Sequence, residues 1–447
     1  MVPARESAVN ILLEIENEGS FSNKLLQEKI HKDADIKEAN LTRELVYGVL
    51  ENKRYIDSVI SKQSSLRLKK IDPMVLQILR IGVYQLLYLD RIPESAAVNE
   101  SVNLAKKYSN KGAIGFVNGV LRSITRDKEK FKLKMDKIED EDLSKSLSYP
   151  DYLVKLWEDQ LGKDLARNLL MASNSKAELN IRVNTLKTSI NVLMDRLKDK
   201  GYKVRKGEYS KDCIIVENPS GITSVNEFSL GFFTIQDESS MLVTEALNPV
   251  EGSFILDMCA APGGKVTHIA QHINDRGKIL ARDLNEGKIN LIKENLLRLG
   301  IKSVKTEIYD AFKKDVDLFE KVDYLLLDAP CSGFGLLRRK PDIKWNRSVE
   351  EIGSLINIQE RMLDIAAGYV KDRGTLVYST CTINDDENLK QVKNFLGKHP
   401  NFTLQPFTLH GKTINESQKE GYLQLLPSIH GTDGFFIAKM IKNNSIL

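Results

Sequence analysis

The chain has 447 residues, a length that accommodates about three domains of ordinary size. Hydrophobic residues make up 42% and charged residues 28% of the sequence, a balance that is typical of folded proteins and excludes a wholly disordered chain. The net charge of +4, from 65 Lys and Arg against 61 Asp and Glu, permits an anionic partner but does not require one.

Residues 1–126 are predicted to form an all-α N-terminal domain. Met1–Glu6 carries charges where an export signal would need an apolar core, so we expect a cytoplasmic protein. Asp72 followed by Pro73 predicts a helix start. The apolar stretch that follows, Ile78–Leu89, is too short for the ~20 residues of a membrane span. Apolar residues recur at helical spacing most regularly at Ala113, Phe116, Val117, Val120, Leu121 and Ile124.

A charged connector and a small mixed domain are predicted next. Within Asp127–Ser146, 13 of 20 residues are charged, so residues 127–149 are interpreted as a solvated connector. Residues 150–238 are predicted to form a small α+β domain in which helices and short apolar strands follow one another. The predicted helices are Asp151 to about Ala172 and Ile190 to about Lys200, and the predicted strands are Leu179–Asn184, Cys213–Val216 and Phe232–Ile235.

Residues 239–447 are predicted to form an α/β domain with a mostly parallel sheet, because short apolar strands alternate with amphipathic helices. Each strand ends in or near an acidic residue or a cysteine, and the ligands of such sheets bind beyond the carboxyl ends of the strands. One edge of the sheet is therefore expected to carry Asp257, Asp283, Asp310, Asp328 and Cys381.

The turn after the first of these strands favours a nucleoside ligand. Its small residues allow a ligand to approach the backbone closely, and they are Cys259, Ala260, Ala261, Pro262, Gly263 and Gly264, followed by Lys265. Asp283 ends the next strand, where carboxylates bind ribose hydroxyls, and Asp310 is placed to meet an adenine edge. The alternative is that these carboxylates cap helices. The glycine fingerprint of a dinucleotide site is missing, so S-adenosylmethionine fits better than NAD.

Two of the four cysteines are candidates for chemistry. Cys213 lies in an apolar strand and Cys259 within the small-residue turn, so both are interpreted as structural. Cys331 and Cys381 both follow strand ends at the ligand edge, and two thiols converging there are hard to explain by packing. No cysteine pair has metal-ligand spacing.

Two further polar features are interpreted from spacing and charge. His268 and His272, one helical turn apart, are interpreted as a solvated helix face, and no metal is expected. The stretch Arg338–Arg347 holds five cations against one acid and includes Trp345. It predicts phosphate contact and base stacking, although a solvated loop is the alternative.

Together these motifs resemble the RNA cytosine-C5 methyltransferases. Within that family the N-terminal helical part resembles the NusB-like RNA-binding domain of the RsmB (Sun/Fmu) type, which acts on 16S rRNA. The segments that carry the resemblance are Glu44–Gly48, Phe116–Leu121, Asp257–Lys265, Asp328–Gly333, Arg338–Trp345 and Tyr378–Thr382. The resemblance implies a Rossmann-like class I methyltransferase domain over residues 239–447, S-adenosylmethionine as cofactor, small-subunit rRNA as partner and a monomer without membrane association.

The resemblance also implies the site roles. It assigns the attack on cytosine C6 to Cys381 and product release to Cys331, a distinction that spacing alone does not make. It places Asp328 against the cytosine ring and Lys265 at the cofactor turn. The alternatives are a methyltransferase acting on tRNA or another RNA, one acting on DNA or protein, a non-catalytic RNA-binding or antitermination factor, and a nicotinamide oxidoreductase.

Overall fold

The computed structural model describes residues 3–19, 21–30, 35–132, 143–410 and 413–444. The chain divides into two units, of which the first comprises Met1–Asn174 with Leu337–Arg347 and the second comprises Ser175–Leu336 with Ser348–Leu447. The predicted domain boundaries at 126, 149 and 238 stay predictions, and residues 133–142 of the predicted connector lie outside the described residues.

The first unit is helical, as predicted. Asp72 starts α4 by accepting hydrogen bonds from the backbone N–H groups of Met74 and Val75, with Pro73 at the first helical position. The described helices of this unit are α1 (Ala4–Glu18), α2 (Ser22–Lys29), α3 (Ile36–Gln63), α4 (Pro73–Tyr88), α5 (Glu94–Tyr108), α6 (Lys111–Arg126), α7 (Lys128–Phe131), α8 (Leu143–Ser146), α9 (Asp151–Leu161) and α10 (Lys163–Ser173). Their apolar faces form one core.

The prediction of one helix from Asp151 to about Ala172 is wrong in one respect, since two helices, α9 and α10, cover this stretch. Gly162 lies between α9 and α10 with φ +79°, a backbone conformation that glycine adopts easily and other residues rarely adopt.

The stretch Arg338–Arg347 is not a solvated loop, and its predicted phosphate contact stays a prediction. Lys344 is fully buried and donates to the Glu51 carbonyl at 3.1 Å and to Asn174 Oδ1 at 2.8 Å, so a solvated loop is wrong. The Trp345 indole packs against the helical core and donates from Nε1 to the Leu50 carbonyl at 2.7 Å. The indole is thus part of the packing of the first unit, and base stacking by Trp345 stays a prediction.

The second unit begins with a small antiparallel sheet in the order β2-β3-β1-β4. Its helices pack with the sheet around a separate apolar core. The elements are β1 (Leu179–Val183), α11 (Ile190–Asp199), β2 (Val204–Lys206), β3 (Cys213–Val216), α12 (Asn226–Ser229) and β4 (Phe233–Ile235). Three of the four strands were predicted, and Cys213 is fully buried, as expected.

A large sheet follows in the order β10-β12-β9-β8-β5-β6-β7, with β11 beside β12. Strands β9, β8, β5, β6 and β7 are parallel, as predicted, and β12 runs antiparallel to β9. The elements are α13 (Glu238–Leu247), β5 (Phe254–Asp257), α14 (Gly264–His272), β6 (Lys278–Asp283), α15 (Glu286–Leu299), β7 (Val304–Ile308), β8 (Val322–Asp328), α16 (Val349–Tyr369), β9 (Val370–Thr380), α17 (Leu389–Lys398), β10 (Phe402–Leu404), β11 (Tyr422–Leu425), α18 (Pro427–His430) and β12 (Phe435–Lys442).

The interpretation of His268 as a solvated residue is wrong. It lies on the buried face of α14 and is 1% exposed, with Nε2 3.3 Å from Asp212 Oδ2. Burial lowers the pKa of His268 to about 4, because it disfavours the imidazolium ion. Among the described residues, no helix is both long and apolar enough to cross a membrane.

Candidate active site at the carboxyl edge of the sheet

The carboxyl ends of the five parallel strands meet at one edge of the large sheet, here called the carboxyl edge. Asp257, Asp283 and Asp328 are the last residues of β5, β6 and β8. Cys381 directly follows β9, and Asp310 lies two residues beyond β7. The strand order reverses beside β5, where ligands of open parallel sheets bind. The structure thus places all five residues at one edge, as the sequence predicted.

The turn between β5 and α14 is shaped by its small residues. Gly263 has φ +102°, and its N–H donates to the Ala260 carbonyl at 2.7 Å, which closes the turn. Ala260 is buried and donates from its own N–H to the Arg282 carbonyl at 2.8 Å. The turn is therefore tied to β6, and α14 starts directly after it at Gly264. Along the rest of the turn, Pro262 is exposed, and the partly buried positions are Cys259, Ala261, Gly264 and Lys265.

Asp257 is the most strongly perturbed carboxyl group at this edge. It is 1% exposed, and its burial together with the Asp328 carboxylate raises its pKa to about 8. Its Oδ1 accepts a hydrogen bond from the Cys259 N–H at 3.3 Å. Its Oδ2 is buried and has no hydrogen-bond partner among the described residues. A buried acceptor without a partner fits a ligand that brings a donor, such as the ammonium group of an amino acid.

Asp283 and Asp310 occupy the next two strand ends. Asp283 is buried, and its Oδ1 accepts from the Asn285 N–H at 3.3 Å. Asn285, not Asp283, caps α15, so the helix-cap alternative does not apply to Asp283. Asp310 Oδ1 accepts from the Phe312 N–H at 2.9 Å. The described residues contain no group of three or more His, Cys, Asp or Glu side chains that could hold a metal ion.

The thiols of Cys331 and Cys381 are in contact, with 3.3 Å between their Sγ atoms. The hydrogen bond with Cys381 and burial raise the pKa of Cys331 well above its ordinary value. Cys381, in turn, lies close enough to Lys265 for the two charges to interact. The structure thus places a cation near the thiol of Cys381.

Lys265 and Asp328 form an ion pair beside the thiols. The Lys265 Nζ lies 2.6 Å from Asp328 Oδ2. Burial disfavours the ammonium ion, yet the Asp328 carboxylate holds the pKa of Lys265 above its ordinary value. The second oxygen of Asp328 accepts from Ser379 Oγ at 2.8 Å, and the Lys265 Nζ lies 5.1 Å from the Phe435 ring centroid. A fixed carboxylate and a fixed cation thus flank the thiol pair.

Three residues of this region were missed by the sequence reasoning. Ser379 orients Asp328 and lies in the same Tyr378–Thr382 segment as Cys381, which was the available signal. Phe435 opens β12, whose apolar run was a signal for a buried strand. Glu387 follows two aspartates and resembles the solvated start of a helix, but it is fully buried.

Family profiles match the chain in three consecutive segments. The profile of the 16S rRNA methyltransferase RsmB/F family matches residues 244–441. The NusB family profile matches residues 2–126, and that of the ferredoxin-like domain of RsmF/B-like methyltransferases matches residues 149–223.

Curated relatives are similar over nearly the whole chain. The probable ribosomal RNA small subunit methyltransferase B of Bacillus subtilis is 39% identical over 448 residues, covering 98% of each chain. The corresponding protein of Synechocystis is 36% identical over 448 residues, covering 99% of this chain and 100% of the relative.

Two solved structures are similar in fold. The crystal structure of PH0851 has a TM-score of 0.82 at 26% identity and covers 99% of both chains. That of NSun6 from Pyrococcus horikoshii with SFG has a TM-score of 0.59 at 25% identity and covers 66% of this chain and 99% of that one. The similarity therefore extends over nearly the whole chain.

Proposed function

The chain belongs to the 16S rRNA methyltransferase RsmB/F family, and from this membership we propose that it transfers a methyl group from S-adenosylmethionine to C5 of a cytosine in 16S rRNA. The observation that supports this activity most directly is the contact between Cys331 and Cys381 beside the Lys265–Asp328 ion pair. Packing alone gives no reason to place two thiols, an ammonium and a carboxylate at a ligand-binding edge.

The chemistry explains why a thiol is needed. C5 of cytosine is a poor nucleophile, and addition of a thiolate to C6 makes C5 electron-rich. A free thiol is only a few per cent ionised at pH 7, and the nearby Lys265 cation favours the thiolate of Cys381. In the proposed reaction, the Cys381 thiolate adds to C6 as the C5–C6 double bond opens, and C5 uses the released electron density to take the methyl group. C5 then loses its proton to solvent, the C5–C6 double bond re-forms, and the Sγ–C6 bond breaks to release the thiolate. Cys331, which is in contact with Cys381, aids that elimination.

Asp328 acts on the cytosine ring in this proposal, and Lys265 acts on Asp328. The Asp328 carboxylate hydrogen-bonds the ring at N3 or N4, and Ser379 and Lys265 hold it in place. A base stacked in a duplex does not admit attack at C6, so the target cytosine must be unpaired or flipped out.

The cofactor site is proposed to lie along the Cys259–Lys265 turn, with Asp283 at the ribose hydroxyls and Asp310 at the adenine edge. Asp328 borders the same site. When bound, S-adenosylmethionine supplies the electrophilic methyl group that the activated C5 accepts. The buried, unpaired oxygen of Asp257 supports a ligand with a donor group here. The similar NSun6 structure was solved with SFG, an analogue of S-adenosylmethionine, which supports the same cofactor.

Residues 1–126 are proposed to supply RNA affinity rather than chemistry. They match the NusB family, and none of the four cysteines lies among them. The rest of the chain carries the whole carboxyl edge.

The experiment that tests the proposal replaces each thiol and follows the covalent complex with rRNA on a denaturing gel. Cys381→Ala cannot form the adduct, so we expect neither 5-methylcytosine nor a slowly migrating band. Cys331→Ala attacks and transfers methyl but releases product slowly, so we expect the protein–RNA band to accumulate. Cys213→Ala, which changes a buried thiol away from this edge, is the matched control and should behave like the unchanged protein.

Other outcomes would point to other functions. A trapped complex in Cys381→Ala instead of Cys331→Ala would reverse the two roles. Full activity in both variants would contradict the covalent mechanism. Methylation of tRNA or DNA in place of 16S rRNA would change the substrate, and S-adenosylmethionine binding without methylation of any nucleic acid would favour a non-catalytic factor.

A further inference from the structure

A buried carboxylate links the two loops that carry the thiols. Glu387 is fully buried and lies between β9 and α17, outside the site residues assigned above. Its Oε1 accepts from the Ser332 N–H at 2.8 Å and from Gln359 Nε2 at 3.1 Å. Its Oε2 accepts from Ser332 Oγ at 2.5 Å and from Asn384 Nδ2 at 2.9 Å. Four donors fill the acceptor capacity of one carboxylate.

These bonds reach residues that are adjacent in sequence to both cysteines. Ser332 directly follows Cys331, and Gln359 Nε2 also donates to the carbonyl of Pro330 at 2.9 Å, on the other side of that cysteine. The Ser332 hydroxyl donates its one proton to Glu387, so the Thr382 hydroxyl, 2.6 Å away, must donate to Ser332. Thr382 directly follows Cys381. The carboxylate is therefore the centre of a network that spans both loops.

We propose that Glu387 is a positioning residue that holds the Cys331 and Cys381 thiols in contact for the two halves of the covalent cycle. This inference rests on the function proposed above. Glu387 does not touch substrate, because it is fully buried, and it acts through Ser332, Thr382 and Asn384. Misplacing a reacting group by about 1 Å can cost 10²-fold in rate, so a network that fixes both sulfur atoms affects turnover more than binding.

The charge of Glu387 acts in the same direction as its hydrogen bonds. After the bond with Cys381 and burial, the negative charge of Glu387 is a further cause that raises the pKa of Cys331. It therefore helps Cys331 to keep its proton, in line with the proposal that Cys381 is the attacking thiol.

The test is Glu387→Gln in the full-length protein. The amide keeps the shape of the side chain, but its NH2 group must face either the Ser332 N–H or the Asn384 NH2, donors with which it cannot pair. We expect kcat for rRNA methylation to fall about 10- to 100-fold, with the KM for rRNA and the affinity for S-adenosylmethionine within twofold of the unchanged protein. Ser332→Ala, which removes one bond of the network, should lower kcat in the same direction by less, and it serves as the test if Glu387→Gln does not fold.

The matched control is Glu238→Gln. Glu238 is also a buried carboxylate, 2% exposed, and accepts from the Tyr209 and Ser210 N–H groups at 2.7 and 2.8 Å. It lies outside the proposed site, so its replacement should change stability without a selective loss of kcat. If Glu387→Gln and Glu238→Gln have equal effects on kcat, or if Glu387→Gln leaves kcat unchanged, the positioning role is contradicted.

A second measurement separates this inference from the proposed function. Diamide takes up two hydrogens and oxidises two touching thiols to a disulfide, with no need for RNA or cofactor. Formation of the Cys331–Cys381 disulfide should be slower in Glu387→Gln than in Glu238→Gln. Equal rates of disulfide formation in the two variants would contradict the positioning role. If the rates differ but the unchanged protein methylates no RNA, only the proposed function is contradicted.

Discussion

Asp257 shows how one buried carboxyl group is adapted to a ligand. It is held between the Asp328 carboxylate and the Lys265 ammonium, and burial dominates, so its pKa rises to about 8. The ordinary value for Asp is 3.8. Burial thus disfavours the carboxylate form at neutral pH, and a cationic group brought by a ligand would favour it. The folded chain accepts an electrostatic cost here that a bound ligand can relieve.

This cost predicts a pH dependence of stability. A carboxyl group whose pKa is raised by folding binds a proton more tightly in the folded state, so its stabilising contribution is complete below pH 4 and is lost as the pH rises towards 8. Asp257→Asn resembles the protonated form at every pH. Relative to that variant, the ligand-free protein should lose about 1.4 kcal/mol of unfolding free energy per pH unit across this window.

Thermal unfolding at pH 5 and pH 8 checks the expectation. The Asn variant should gain stability over the unchanged protein at the higher pH, and two melting curves that shift in parallel between the two pH values would contradict it. Asp317→Asn, at an exposed carboxylate distant in sequence from the turn, is the control and should show no such divergence.

At the same scale, the sequence predicts the residues whose position follows from a strand end. Asp257, Asp283, Asp328 and Cys381 are of this kind, because parallel strands carry their last residues to a common edge. Ser379 and Glu387 are not, since their roles arise from contacts between loops that are distant in the chain. A glutamate in a polar run gives no sign that four donors will surround it.

Strand β1 and helix α14 are joined by one buried arginine. Arg182 is fully buried, and its Nε donates to Gln271 Oε1 at 3.0 Å while Nη2 donates to Thr267 Oγ1 at 2.8 Å. Its Nη1 donates to Gln236 and to the carbonyl of Gly264, the first residue of α14. All these acceptors are neutral, and burial lowers the pKa of Arg182 to about 9. The small sheet therefore supports the helix that follows the proposed cofactor turn.

Replacing this arginine should destabilise the second unit. Arg182→Met fills a similar volume but removes the donor to Gln236, Thr267 and Gln271 and one of the two donors to the Gly264 carbonyl. This loss should cost about 1–3 kcal/mol of unfolding free energy. Arg205→Met is the control, because Arg205 is exposed and pairs with Glu178 at the surface, and it should cost less than about 1 kcal/mol. Chemical denaturation of the two variants measures the difference, and equal midpoints would contradict the role of Arg182.

Helices and strands were predicted from the sequence where an apolar pattern lies within a single segment of the chain. Strands β5, β6 and β8 have short apolar runs, and α6 has apolar residues at helical spacing, so the pattern was sufficient. Strand β2 (Val204–Lys206) was missed because two of its three residues are cationic and it pairs only through β3. The strands after Cys381 were also missed, since β12 pairs antiparallel with β9, and β10 and β11 pair with β12, through contacts between distant parts of the chain.

In the molecule as a whole, the two units are interleaved along the chain. Leu337–Arg347 leaves the second unit after β8 and belongs to the first. Within the first unit, Asp342 Oδ1 accepts from Ser22 Oγ at 2.6 Å, and Trp345 packs beside α3. This basic, polar segment thus completes the helical core of the first unit, although more than a hundred residues separate it from the rest of that unit along the chain.

Trp345→Ala in the full-length protein should therefore loosen the first unit. Loss of the indole contacts and of the bond to the Leu50 carbonyl should destabilise the unit by about 1.4 kcal/mol or more, which corresponds to a factor of ten in the opening equilibrium. Amide hydrogen-exchange protection in α3 (Ile36–Gln63) should therefore fall by about tenfold or more. Strands β5 to β9 should keep their protection. Val349→Ala, at an exposed side chain soon after the segment, is the control, and equal loss of protection in α3 and in the strands would contradict the expectation.

The interleaving also has a consequence for synthesis on the ribosome. The helical unit contains the amino terminus, yet its last piece is translated only after residues 175–336 have been made. At roughly 5–20 residues per second, that interval lasts roughly 10–30 s. During it, the nascent first unit lacks the Trp345 indole, which packs against its apolar core and donates to the Leu50 carbonyl. The part of the protein that is made first is therefore among the last to be completed.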